Sequence, residues 1–337
     1  MAEFEYELPQ SAIAQYPADP RDSARLLVAG PPGHGPMHRR VSDLGEFLRA
    51  GDLLVVNETR VIPARLHLRK ETGGKAEVLL LEPEGDGVWS ALVRPGRRLA
   101  PGTSLRSELD ERVEVTVGEV LEDGRRHVEV AFDGEPIVDV LGADLLSLAG
   151  EAPLPPYITV PATDPERYQT VYGHSPGSVA APTAGLHLTP ELLGDMEAKG
   201  VELARVDLVV GLDTFRPVLA DDSADHVMHT EQYRVPVDTM ERCRSADRVV
   251  AVGTTTVRAL ESAARGSLEG RTGLFLSRGA SFEVVDVLMT NFHLPRSTLL
   301  LMIDAFIGPR WRELYEVALK EGYRFLSFGD AMLLERT

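Results

Sequence analysis

The chain has 337 residues, 43% of them hydrophobic, a formal net charge of −17 and a single cysteine. This length and composition allow two domains with a substantial buried core and exclude a disordered or collagen-like chain. Cys243 alone excludes an intramolecular disulfide and reads as a bystander thiol. The acidic start Met1-Ala2-Glu3-Phe4-Glu5-Tyr6-Glu7 lacks the pattern of a secretion signal, and no apolar run approaches the roughly 18 residues that span a bilayer, so a cytoplasmic protein is expected. Phosphate affinity comes largely from Lys and Arg, so a nucleic-acid partner would need a local basic surface within this acidic whole.

Taken in order, Leu26-Leu27-Val28 reads as a short strand, and the run from Gly30 to Pro36 is too rich in Gly and Pro for regular structure. Residues 41–50 predict a helix capped by Ser42 or Asp43 and closed at Gly51. Residues 52–56 predict a buried strand, with the polar cluster Asn57-Glu58-Thr59-Arg60 at its carboxyl end. Between residues 64 and 140 the pattern changes to short alternating runs separated by Gly73-Gly74, Pro95-Gly96 and Asp123-Gly124. Five or six strands, most simply a small barrel, fit this spacing. The same stretch concentrates Arg65, Arg69, Lys70, Lys75, Arg94, Arg97 and Arg98, which taken alone read as solvated strand faces.

Helix and strand alternation then resumes, with helices predicted over 139–148 and 190–199 and a strand over 201–210. His226, His229 and Glu231 lack the i, i+4 spacing of a zinc-protease helix and have no cysteine cluster beside them, so no metal is expected. Residues 248–252 predict a strand running through Gly253-Thr254-Thr255 into a helix, an entrance whose free N–H groups and dipole suit a phosphate or carboxylate. It is neither a P-loop nor a dinucleotide fingerprint. Residues 284–288 predict another strand; the polar turn from Met289 to Thr298 follows, and Ser297 is placed to cap a helix over 299–306. Asn291 and His293 thus sit at the carboxyl end of a strand, where open α/β sheets place ligands. The fold class expected is an α/β main domain, residues 1–63 and 149–337, interrupted by an inserted all-β, barrel-like domain at 64–148.

Several stretches together carry a resemblance. Asn57-Glu58-Thr59-Arg60-Val61-Ile62-Pro63-Ala64-Arg65, Leu154-Pro155-Pro156-Tyr157-Ile158, Arg167-Tyr168-Gln169-Thr170-Val171-Tyr172 and Ala180-Ala181-Pro182-Thr183-Ala184-Gly185-Leu186-His187 are four of them. The segment from His226 to Glu231, Val252-Gly253-Thr254-Thr255, Thr290-Asn291-Phe292-His293-Leu294-Pro295 and Phe328-Gly329-Asp330-Ala331-Met332-Leu333 complete the set. In this order they resemble the S-adenosylmethionine:tRNA ribosyltransferase-isomerase family of queuosine biosynthesis, over essentially the whole chain. The resemblance implies an α/β domain interrupted by a small barrel. It also implies transfer of the ribosyl part of S-adenosylmethionine to 7-aminomethyl-7-deazaguanine at the tRNA wobble position, giving epoxyqueuosine, adenine and methionine. S-adenosylmethionine and tRNA are then the partners, no cofactor is implied because S-adenosylmethionine is consumed, and a monomer is favoured.

That reaction makes demands on residues. A sulfonium acidifies the adjacent C5′ protons, so a base is needed, and the candidates are His293 and His187, with His229 and Glu231 as a second pair. Departing adenine needs an acid, a role open to Asp330 if burial raises its pKa. The methionine carboxylate suits Gly253, Thr254 and Thr255 at the helix entrance, or Arg60 or Arg258. Flat rings suit Phe292, Tyr168, Tyr172 or Phe215, and Asn57, Thr59, Thr183, Gly185 and Asn291 complete the expected substrate contacts. The barrel's basic residues become an expected tRNA surface.

The chain departs from the family pattern. Asp207-Leu208-Val209-Val210-Gly211-Leu212-Asp213 stands where an imidazole usually occupies the position of Val209 and a glycine that of Asp213, and Arg278-Gly279-Ala280 replaces Pro-Gly-Tyr. These changes keep two alternatives open: a paralogue that cleaves S-adenosylmethionine for another acceptor, such as a small molecule, and a non-catalytic RNA-binding protein.

Overall fold

The computed structural model describes residues 1–30, 34–121, 124–138, 143–161, 164–211 and 230–337. Two compact units emerge, one of Met1–Glu58, Pro155–Gly173 and Pro182–Thr337, the other of Thr59–Leu154 and His174–Ala181. The larger unit holds strands β1 (Arg25–Val28), β2 (Met37–Arg40) and β3 (Asp52–Asn57). The smaller holds β4 (Thr59–Val61), β5 (Arg65–Lys70), β6 (Lys75–Gly85), β7 (Val88–Arg94), β8 (Ser104–Ser107) and β9 (Val113–Val120). It continues with β10 (Arg126–Phe132), β11 (Glu135–Pro136), β12 (Gly150–Glu151) and β13 (Ser175–Ser178). The chain then returns to the larger unit with β14 (Glu202–Leu208), β15 (Glu231–Arg234), β16 (Arg248–Val252), β17 (Glu269–Thr272), β18 (Val287–Asn291) and β19 (Ala331–Glu335). Helices are α1 (Ala143–Leu146), α2 (Pro190–Ala198), α3 (Val237–Ser245), α4 (Thr254–Arg265), α5 (Thr298–Ile307) and α6 (Trp311–Lys320). Among the described residues, no helix is long and apolar enough to cross a membrane.

The larger unit is built on a mixed sheet in the order β17-β15-β14-β3-β16-β18-β19-β1-β2. β14, β3, β16 and β18 run parallel, and β19 runs against β18. β3 and β18 are buried along their whole length and read as continuous apolar runs, as central parallel strands do. Leu54, Val56, Val250, Val252 and Met289 of these strands pack with Leu188, Leu192 and Met196 around α2 in one core.

In the smaller unit β5 to β10 close on themselves through the pairing of β9 with β10, giving the six-stranded antiparallel barrel that the strand spacing implied. Val78, Leu80, Trp89, Val115, Val117, Val128 and Val130 point inward and are buried, in the alternation a barrel requires. β12 pairs with β5, and β4 with β13, which draws residues 59–63, 149–154 and 174–181 into this unit.

Local differences from the sequence expectation have physical causes. Residues 41–50 do not form one helix: Val41–Glu46 is a 3-10 helix whose capping box joins Arg40 and Asp43, and the Asp52 carboxylate accepts from the Arg49 N–H at 2.9 Å and turns the chain. The strand expected from residue 284 begins at Val287 instead. Before it, the buried Glu261 carboxylate accepts from the N–H groups of Glu283, Val284 and Val285 at 2.9, 3.0 and 3.1 Å and holds them out of the ladder. Ser297 does cap α5, accepting from the Leu300 N–H at 3.2 Å, and Thr189 caps α2 in the same way at 3.1 Å.

Candidate active site

The parallel strands bring their carboxyl ends to one edge of the sheet, and β19, running the other way, starts there. Asn57, the last residue of β3, is fully buried. Its Nδ2 donates to the Leu208 carbonyl at 3.0 Å and lies 3.3 Å from Thr255 Oγ1, while its Oδ1 accepts from the Leu208 N–H at 3.1 Å. Asn57 therefore clamps β3, β14 and the entrance of α4 together. Gly253 makes the turn into α4 at φ +90°, a conformation few side chains tolerate. Thr254 and Thr255 are buried at that entrance.

At the end of β18, Asn291 gathers three groups. Its Oδ1 accepts from Thr183 Oγ1 at 2.9 Å, and its Nδ2 lies 3.2 Å from His187 Nε2 and 3.4 Å from the Asp330 carbonyl oxygen. A carbonyl can only accept, so the amide nitrogen must face Asp330 and His187. His187 Nε2 is then an acceptor and its proton sits on Nδ1. Burial, reinforced by the Arg324 charge, pushes the His187 pKa down to about 4, so the ring is neutral near pH 7. A Cβ on Gly185 would collide with the Tyr172 hydroxyl, so this 3-10 segment, Thr183–His187, needs glycine there.

Asp330 closes the same cluster from the other side. Its Oδ1 accepts from the Arg25 N–H at 2.9 Å, its Oδ2 from the Arg324 N–H at 2.8 Å, and the Arg324 guanidinium lies 3.7 Å away. In this geometry Asp330 pins two chain segments together. His293 is neutral too: burial pushes its pKa down to about 3, and its Nε2 lies 3.0 Å from Thr290 Oγ1. Its N–H donates to the Tyr315 hydroxyl at 3.0 Å and its carbonyl accepts from the Tyr6 hydroxyl. Phe292, expected to stack on a ligand, is wholly buried among Tyr315, Tyr323 and Phe325 and packs the core instead. Tyr168 is likewise buried, edge-on to Phe328 at 5.9 Å.

Glu231 and Arg258 were expected in separate roles, yet they form a buried ion pair. Glu231 Oε1 also accepts from the Gly211 N–H at 3.2 Å, and Arg258 donates to the Leu274 carbonyl at 3.2 Å and the Thr272 carbonyl at 3.4 Å. Burial lowers the Arg258 pKa to about 10. With its charge matched by Glu231, Arg258 joins α4 to β15 and β17 and is not an open anchor for a carboxylate.

His229, Asp213 and Phe215 lie outside the described residues. Val209 donates its N–H to the Gln232 carbonyl at 2.9 Å, and the Ala280 N–H donates to the Ser277 carbonyl at 2.9 Å, so both altered positions are held by backbone. Thr59 and Arg60 sit on β4 of the smaller unit. There Arg65 is half-buried, Arg69 pairs with Glu108 at 2.8 Å, Lys70 donates to the Arg98 carbonyl at 2.7 Å, and Lys75, Arg94, Arg97 and Arg98 are exposed.

A family model described as queuosine biosynthesis protein matches residues 1–334. The chain belongs to the queuosine biosynthesis protein family. Similar proteins include the S-adenosylmethionine:tRNA ribosyltransferase-isomerase of Rubrobacter xylanophilus, 51% identical over 98% of this chain and 96% of that one. The protein of the same name from Thermus thermophilus is 50% identical over 98% of each chain. A crystal structure of S-adenosylmethionine tRNA ribosyltransferase from Thermotoga maritima, 38% identical, covers 98% of this chain and 99% of that one with a TM-score of 0.55. The queuosine family fold expected from the motifs, an α/β unit with a small barrel, is the fold observed.

Within this queuosine family chain, sequence reasoning passed over Arg21 and Arg324. Arg21 donates to the carbonyls of Gln169 and Glu166 at 2.8 Å and of Leu186 at 3.1 Å, fixing the chain next to His187. The charge of Arg324 disfavours protonation of His187, and its guanidinium donates to the Tyr16 carbonyl at 3.1 Å. Their sequence signal was weak, since an arginine after a proline or before an aromatic residue has no motif of its own.

Proposed function

We infer that this protein transfers and isomerises the ribosyl moiety of S-adenosylmethionine onto 7-aminomethyl-7-deazaguanine at the tRNA wobble position, forming epoxyqueuosine and releasing adenine and methionine. The observation that carries this is the family match over residues 1–334, supported by relatives of about half identity that bear this enzyme's name over the full length of the chain. They favour tRNA over a small-molecule acceptor, and an enzyme over a binding protein.

The Thr183, His187 and Asn291 cluster at the strand ends supports a site there. A neutral His187 with its proton on Nδ1 is a hydrogen-bond donor suited to an electron-rich atom such as an adenine nitrogen or a ribose oxygen. With its Nε2 lone pair engaged by Asn291, it cannot take a proton until Asn291 moves. His293, neutral and beside Thr290, is then the candidate base for the proton next to the sulfonium. Thr254 and Thr255 at the α4 entrance suit the methionine carboxylate.

The test is incubation with S-adenosylmethionine and tRNA carrying the deazaguanine precursor, measuring adenine and the modified nucleoside together. Equimolar release and product are expected; adenine without tRNA product would point to another acceptor. Unchanged turnover in His293→Ala would remove His293 from the chemistry while leaving the overall function standing.

A further inference from the structure

The pairing order of the barrel fixes which charged residues share an end. Neighbouring strands are antiparallel, so β5, β7 and β9 finish, and β6, β8 and β10 start, at one rim. That rim carries Lys70, Lys75, Arg94, Arg97, Arg98 and Arg126. The opposite rim, where the β6–β7 and β8–β9 turns and the end of β10 lie, carries Asp86, Glu108, Asp110, Glu111, Asp133 and Glu135. A barrel within an acidic protein is thus polarised along its axis.

Pairing separates the two groups further. Other arginines of the barrel are neutralised: near the basic rim Arg69 by Glu108 at 2.8 Å and Arg106 by Glu114 at 2.7 Å, and at the opposite rim Arg112 by Asp110 at 2.7 Å. Lys75, Arg94, Arg97 and Arg98 are exposed and have no acidic partner among the described residues, although Glu71, Glu77 and Glu119 lie at the same end. Arg126 is different again. It lies on the inward face of β10 with Val128 and Val130 and is 9% exposed. Its Nη2 donates to the Gly96 carbonyl at 2.7 Å, beneath the Gly96–Arg98 turn, while its Nη1 is buried and has no hydrogen-bond partner among the described residues. A buried guanidinium N–H left without an acceptor is destabilising, and a phosphate oxygen is the acceptor its fork geometry fits best.

We propose that this rim is the edge by which the barrel grips the RNA backbone, with Arg126 donating to one phosphate and Arg94, Arg97 and Arg98 covering its neighbours. It rests on tRNA being the substrate. Arg69, beside Lys75 but already paired with Glu108, and the half-buried Arg65 at the other end of β5 contribute no free charge to this edge. The basic groups sit at strand ends and in the short 3-10 turn Gly96–Arg98, and contacts to phosphate fix position on the RNA without reading base identity.

The experiment is tRNA binding by fluorescence anisotropy across a salt series with the full-length protein. R97Q/R98Q alters an exposed turn and is expected to reduce the slope of log K against log salt by about 1.5, since each phosphate left without its arginine lowers the slope by roughly 0.7 to 0.9. Affinity at about 0.1 M salt should fall about thirtyfold, KM for tRNA should rise, and kcat should hold. R126Q should lower the slope by roughly the amount of one more phosphate. R106Q removes one barrel charge that is already paired with Glu114 and should bind as wild type. Wild-type slope and affinity in R97Q/R98Q, or equal weakening by R106Q, overturns the rim assignment while leaving tRNA as substrate. A wild-type protein that neither binds nor modifies tRNA overturns both.

Discussion

Replacing Asn291 with aspartate tests the hydrogen-bond logic of the site at one atom. In the native protein the amide nitrogen lies 3.2 Å from His187 Nε2, so the isosteric carboxylate of N291D places an anionic oxygen at nearly that distance. At an effective dielectric constant of about 20, unit charges this far apart attract by about 5 kcal/mol. Burial of the new carboxylate and its proximity to the Asp330 carbonyl offset part of that, as do the Arg21 and Arg324 charges that already disfavour imidazolium. We expect the His187 midpoint to climb from about 4 to about 7 and the ring to bind a proton on Nε2 near neutrality. The assay is a pH titration of 15N-histidine-labelled protein by long-range 1H–15N spectra, which distinguish protonated from unprotonated ring nitrogens. Activity across pH should acquire a new inflection near the raised midpoint. A wild-type His187 that titrates close to 6.5, carries its proton on Nε2, or fails to move in N291D would refute the assignment of the amide and the tautomer together.

The two buried histidines also make stability fall in acid. Their folded pKa values, about 4 and about 3, lie below the unfolded value near 6.5, so the unfolded chain binds protons first as pH drops. Stability is full above pH 6.5 and declines towards the folded midpoints, by about 2.6 kcal/mol per histidine at pH 4.5; urea melts of wild type and H187Q should differ by this dependence. Breaking the buried pair with R258A strands the Glu231 charge and should cost about 3–5 kcal/mol in chemical denaturation, whereas R258M/E231L should recover most of it. G185A drives a methyl group into the Tyr172 hydroxyl and should destabilise by about 1–3 kcal/mol; Y172F removes the colliding oxygen, so the double variant should melt higher than G185A alone. S297A removes the cap of α5 and should lower stability by about 1 kcal/mol without changing the His187 titration.

Much of this protein was written locally. Alternating β-branched runs and Gly turns announced the barrel, and continuous apolar runs announced β3, β16 and β18, because side-chain period and turn chemistry act over a few residues. Ser297 was legible as a cap for the same reason, and the family motifs placed the polar clusters at strand ends. Tertiary structure decided what those clusters do. Asn291 meets Thr183 and His187 across 108 and 104 residues of chain, and only that meeting fixes the ring's tautomer and neutrality. Glu231 and Arg258, each a plausible site residue by type, neutralise one another once α4 packs against β15. Phe292 carries an aromatic face in the sequence but spends it on Tyr315 and Phe325. The basic residues of the barrel were visible as a concentration of charge, yet the antiparallel closure of six strands sorted them to one rim and left Arg126 beneath it. Sequence sets which groups are available; burial and long-range pairing set which of them remain free to meet a substrate.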